Sequence, residues 1–234
     1  MKKLVLTTVC ALAVTGAAFA QAVNWGSITF AAMTAQTNST QNSPFFGGAA
    51  VSGGAVGSTV TGSLNTYYEL LDTSFSGTQA TISTLSSLLA WQDTGLGATN
   101  NPTSAGRLSV INPNPSANVS WTTTTNSIVL VGWSANLGSS WGAVSNELAT
   151  GSYRAILGSQ QGFFGVSATG YTTTSPAGTS PGATLFAASA NSQGLPIFSQ
   201  NTQLYLLPVP EPATMALMGL GGLSLLLFRR SRKS

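Results

Sequence analysis

Between residues 21 and 207 the chain has no cysteine and only six charged side chains, Glu69, Asp72, Asp93, Arg107, Glu147 and Arg154. Charged residues usually make up about a quarter of a chain, so Ser, Thr, Asn, Gln and Gly have to supply the polarity instead. With no disulfide available, the segment must stand on its own packed core. Its length suits one domain that can bury such a core.

The apolar pattern of this segment is mostly of period two. Ile28 and Phe30, Tyr68 and Leu70, Leu108 and Val110, and Val119 and Trp121 alternate with polar neighbours, as half-buried strands do. Residues 128–131 with Trp133 are apolar on both faces, the pattern of a central strand, and 163–166 and 204–207 read as further strands. The fold predicted is all-β, an antiparallel β-sandwich or jelly-roll-like domain with one or two short helices. Ile82, Leu85, Leu88 and Leu89 share one helical face, and Trp141, Val144 and Leu148 share another, with Ser139 or Ser140 as cap and Gly151 just past the end. Both helices are expected at edges or ends of the sandwich. Residues 36–62, 100–106, 112–117 and 172–182, rich in Asn, Ser, Thr, Gly and Pro, read as loops.

The residue inventory excludes several function classes. Six of the eight basic residues lie in the two end segments, so the sequence pI of 9.3 belongs to those ends and the domain itself is slightly acidic. Nucleic acid has no basic patch to bind. Residues 138–142 and 178–182 match G-x-S-x-G, but the chain has no histidine to complete a Ser-His-Asp triad. No cofactor or metal site is predicted; Asp72 or Asp93 with backbone carbonyls offers at most a weak calcium site. Carboxylates are the one catalytic resource. Glu69 and Asp72 project from opposite faces of a strand, which leaves Glu69 with Glu147 as the pairing for a glycoside hydrolase. For sugar binding, Trp91, Trp121, Trp133 and Trp141 with Tyr67, Tyr68, Tyr153 and Tyr171 can provide stacking rings, although core packing accounts for Trp121, Trp133 and Trp141 more simply.

The two ends carry targeting information. Lys2 and Lys3, an apolar run over 4–16 and Ala18-Phe19-Ala20 before Gln21 form a secretory signal peptide, residues 1–20, with Ala18 and Ala20 as its A-x-A cleavage signal. At the other end, residues 213–228 are almost wholly apolar, and Arg229, Arg230, Arg232 and Lys233 follow. As a helix that stretch spans about 24 Å against a hydrocarbon core of about 30 Å, so it crosses a bilayer with the basic side chains snorkelling. The basic end stays cytoplasmic, placing residues 21–207 on the outer side. Pro210 and Pro212 keep the peptide around Glu211 extended, the form a processing enzyme grips.

Val209-Pro210-Glu211-Pro212, the apolar stretch and the basic end together resemble the PEP-CTERM sorting tail of bacterial envelope proteins. Residues 208–234 would then form a sorting tail, with Val209, Pro210, Glu211 and Pro212 as its processing motif. The resemblance implies an exosortase-type processing enzyme as partner and the lipid bilayer as a transient or permanent one. It also implies a destination at the cell surface or in an extracellular matrix. A plain C-terminal anchor is the other reading of the tail. The domain then reads as a non-enzymatic envelope or matrix protein, with a carbohydrate-binding module for extracellular polysaccharide as the alternative and a Glu69/Glu147 hydrolase third.

Overall fold

The computed structural model describes residues 21–24, 35–46, 58–59, 66–101, 106–111, 116–119, 125–174, 183–187, 189–197 and 202–209. The signal segment, Ile28, Phe30, Trp121, the second G-x-S-x-G match and the tail from Pro210 onward lie outside the described residues. The strands are β1 (Gln21–Asn24), β2 (Ala35–Asn42), β3 (Ser58–Thr59), β4 (Thr66–Ser74), β5 (Gln92–Asn100), β6 (Leu108–Val110), β7 (Ser116–Val119), β8 (Thr125–Ser134), β9 (Phe163–Val166), β10 (Gly170–Thr173), β11 (Ala183–Thr184), β12 (Gly194–Leu195) and β13 (Thr202–Leu206). The helices are α1 (Leu85–Leu89), α2 (Trp141–Thr150) and α3 (Tyr153–Leu157), with short 3-10 turns at Pro44–Phe46 and Ala135–Leu137.

As the period-two pattern predicts, the fold is mostly antiparallel β with few helices. Where the sequence suggested two facing sheets, most strands join one curled sheet of ten, in the order β3-β2-β13-β9-β8-β4-β5-β6, with β10 on β8 and β12 on β10. A separate three-stranded sheet runs β11-β1-β7. Two pairings, β13 with β2 and β1 with β11, are parallel. The predicted central strand is β8, buried from Asn126 to Trp133 and paired with β4 from Asn126 to Ser134.

Alternation along β8 divides the core in two. Ile128 and Leu130 join Tyr68, Leu70, Leu96, Ala98 and Leu204 on one face. Val129, Val131 and Trp133 join Leu71 and Phe164 on the other, where the helices supply Leu88, Trp141, Val144, Leu148, Tyr153 and Leu157. The helices therefore lie on a sheet face, a correction to their expected place at edges or ends. The cause is the second apolar row of β8, which needs a cover of its own. α1 starts on a capping box, Thr84 Oγ1 accepting from Ser87 N–H at 3.1 Å and Ser87 Oγ from Thr84 N–H at 3.2 Å. α2 follows its predicted cap Ser140 and ends at Gly151, which adopts φ +74°. α3, immediately after it, was not anticipated.

The loop readings are also corrected. Residues 36–62 contain β2 and β3, and parts of 112–117 and 172–182 lie in β7 and β10. β2 has no apolar alternation to betray it because the parallel ladder to β13 holds it through its backbone.

Gly165 is the tightest approach in the sheet. A Cβ there would lie 2.0 Å from the Gln203 carbonyl oxygen of β13, a backbone atom with no room to yield. Gly165→Ala should therefore cost more than about 3 kcal/mol or prevent folding. Gly142→Ala in α2 faces open space and should change stability by less than about 1 kcal/mol, in the stabilising direction. Urea denaturation of both variants against the parent checks the contrast.

Candidate functional site

β8 meets β9 and β10 on the same side, but in two registers. Val131 faces Val166 and Trp133 faces Phe164, whereas Ile128 faces Gly170, so one extra residue is inserted between the two strands. Ser167 absorbs it. Its N–H donates to the Leu130 carbonyl at 2.8 Å and its Oγ accepts from Leu130 N–H at 3.0 Å. Such a bulge bends the chain and re-aims its side chains. Beyond it the sheet forks, β9 continuing to β13 and β10 to β12.

A cleft of about 520 Å³ occupies this fork. Its floor is the bulge, residues 165–169. One wall is Pro44, Phe45 and Tyr205, and the other is residues 79–82. Two reciprocal bonds staple that second wall to the floor: Gln79 Nε2 donates to the Thr169 carbonyl at 2.7 Å, and Thr169 Oγ1 to the Ala80 carbonyl at 2.6 Å. The opposite wall is set by Phe45 standing edge-on to Phe164 at 6.0 Å. The cleft thus combines half-buried rings with amide, hydroxyl and backbone groups, the composition that holds small polar ligands.

These rings are not the ones expected from sequence. Trp133, Trp141, Tyr68 and Tyr153 are buried, as the core reading of the two tryptophans held. Trp133 donates its indole N–H to the Gly138 carbonyl at 2.8 Å, and Trp141 stacks on Phe164. Tyr67 and Trp91 pack against the helix-side core, and Tyr171 stacks on Phe75 at 4.4 Å. Phe45 and Tyr205 were missed. Tyr205 does alternate with Leu204 and Leu206, which was the available signal; Phe45 had none, since its position depends on β2 being a strand.

The carboxylates sort by face. Asp72 is buried and accepts from the Asn126 side-chain amide; burial pushes its carboxyl up and that hydrogen bond partly offsets it. Glu69, on the opposite face as expected, meets Asp93. A bulge brings them together, because Leu70 faces Leu96 while Leu71 faces Asp93, with Gly95 at φ +71° taking up the slack. Gly97 leaves the space that Glu69 fills, its Oε2 lying 2.9 Å from where a Cβ would be. Glu147 sits on α2 and burial pushes its carboxyl up. No cluster of three metal-ligating side chains occurs among the described residues.

β13 leads directly into the tail. The Leu206 carbonyl accepts from Ser43 N–H at 2.8 Å, and Leu207 N–H donates to the Gly162 carbonyl at 2.8 Å. The Tyr153 hydroxyl donates to the Pro208 carbonyl at 3.4 Å, and Val209 packs against the helix-side core. Residues 208–233 match the PEP-CTERM protein-sorting motif. No curated protein and no solved structure matches the chain. The PEP-CTERM motif implies an exported protein that exosortase processes. Among the described residues no helix is long and apolar enough to cross a membrane; the apolar part of the PEP-CTERM tail lies outside them.

Glu69 gives the domain a stability signature independent of the PEP-CTERM tail. Burial first, then the Asp93 charge and the hydrogen bond to Asp93, push its carboxyl from an ordinary 4.5 up to about 8. The folded chain holds this proton more tightly than the unfolded one, so the stability it confers is full below pH 4.5 and is lost as pH rises through about 8. Denaturant midpoints of the parent should fall across that window, and Glu69→Gln, which mimics the protonated form, should flatten the decline.

Proposed function

We propose that the chain is an exported, non-enzymatic cell-envelope or extracellular-matrix protein. Residues 1–20 direct its export, 21–207 form its working domain, and 208–234 direct membrane insertion through 213–228 and exosortase-type processing. The observation that carries this reading is the PEP-CTERM motif over 208–233. Val209, Pro210, Glu211 and Pro212 are the processing motif, and Arg229, Arg230, Arg232 and Lys233 stop transfer. The absence of any histidine, and of cysteine from 21–207, supports a binding or structural role over catalysis. Mass spectrometry of the native C-terminus in separated membrane and extracellular fractions tests it. The extracellular form should end near Pro210 or Pro212, and an intact tail confined to the inner membrane would leave a plain anchor.

The cleft in the sheet fork favours a second role for the same exported domain, binding of extracellular polysaccharide. Tyr205 and Phe45 offer ring faces to a pyranose, and Gln79 and Thr81 stand on the opposite wall with polar groups for its hydroxyls. Tyr205→Ala should weaken binding to the matrix polysaccharide about tenfold, equivalent to ~1.4 kcal/mol, in a pull-down or calorimetric titration. Tyr171→Ala, outside the cleft, should leave it unchanged.

A further inference from the structure

The domain and its tail share no linker. Leu207 is 1% exposed and Val209 still packs on the helix-side core, so only residues 210–212 separate the docked chain from the apolar segment that begins at 213. Fully extended, that stretch reaches at most about 14 Å. The headgroup layer alone takes up roughly 5–8 Å of it. While the tail is inserted, the end of the domain that carries Val209 is held at the membrane surface.

α3 sits at that end, since its Tyr153 holds the Pro208 carbonyl. The helix is only about 7.5 Å long, so each of its residues is within a turn or so of the tail root. Tyr153 and Leu157 face inward, and Arg154, Ala155 and Ile156 are exposed. Ile156, at 48% exposure, is one of two large hydrophobic side chains exposed among the described residues. Arg154 is one of two cations in the whole of 21–207. Ile156 and Arg154 flank Ala155 from opposite sides of the helix, the Arg154 guanidinium lying 5.0 Å from the Tyr153 ring centroid, and an apolar side chain and a cation on the outer half of a helix are groups that an anionic membrane interface takes up.

We propose that the clasp on residues 207–209 seats α3, with Ile156 and Arg154 outward, on the surface of an anionic bilayer until the tail is processed. This rests on the reading of 213–228 as membrane-inserted. The clasp fixes which end of the domain faces the lipid, and processing releases it.

The chain's lack of other cysteines makes the test direct. In full-length protein carrying Cys10→Ser, a single cysteine is introduced as Ile156→Cys or Ile111→Cys and labelled with a fluorophore. The protein is then reconstituted into phosphatidylcholine–phosphatidylglycerol vesicles bearing a headgroup-attached quencher. Ile111 follows β6, the sheet edge five strands from β13, a path of roughly 24 Å across the curled sheet at about 4.8 Å per strand. Quenching is expected at 156 and not at 111. It should disappear when a Gly/Ser insert of about ten residues is placed between Val209 and Pro210, with vesicle binding unchanged. Vesicle-bound protein with no quenching at 156, or quenching that survives the insert, overturns the seating and leaves the tail reading intact. Failure of the chain to float with vesicles at all overturns both.

Discussion

Strand β8 is covered on both faces, and the rest of the domain is arranged around that fact. Its odd and even residues enter separate cores, each completed from distant parts of the chain. Burying a Leu, Val or Ile side chain is worth about 1.5–3 kcal/mol, and 21–207 has neither disulfides nor more than six charges to offer in its place. Two-sided burial has a cost at the polar ends of the strands, where hydrogen bonds must replace water. Asn126 meets Asp72 there, and Thr66 N–H donates to Asn100 Oδ1 at 2.9 Å. Uncharged amides and hydroxyls do most of this pairing, which is why so charge-poor a composition can still satisfy its backbone.

The cleft follows from the same sheet. Ser167 replaces one rung of the β8 ladder with its hydroxyl, and the neighbouring strands diverge around it. Gly165, just before the bulge, lets β13 approach so closely that Tyr205 stands over the opening. Residues 79–82 contribute a wall because Gln79 and Thr169 exchange hydrogen bonds across some ninety residues of sequence. A cleft whose floor is ladder backbone and whose walls are pinned by the Gln79–Thr169 exchange and the Phe45–Phe164 contact is preorganised for a ligand.

How much of this could be read from the sequence depended on where the apolar signal was self-contained. β8, β9 and β13 announced themselves, as did the apolar face of α2 and the glycine that ends it, since each carries its own periodicity and punctuation. β2 did not: Thr37 is buried but the segment is polar throughout, and only its partner makes it a strand. Glu69 and Asp93 lie 24 positions apart and meet through a bulge that no pattern marks. Phe45 and Tyr205 converge only through β2 and β13 pairing, so the cleft was invisible while its staple residues looked like ordinary loop polarity. The sorting motif was fully legible because its function is read from a short stretch of chain and not from a fold.

The boundary between domain and tail has a chemical origin of its own. Pro208, Pro210 and Pro212 lack an N–H, so a strand cannot go on donating ladder bonds past Leu207. Among the described residues Leu207 makes the last backbone donation, to Gly162, and Pro208 can then take part only as an acceptor. Tyr153 answers that need. Its phenol is pushed up by burial, with Arg154 partly opposing the shift, so it keeps its proton and stays a donor. The prolines that keep the sorting peptide from donating to the sheet therefore leave the Pro208 carbonyl to a side chain from α3. Folding of the helix layer and presentation of the tail are in this way joined at one hydrogen bond and one half-buried valine.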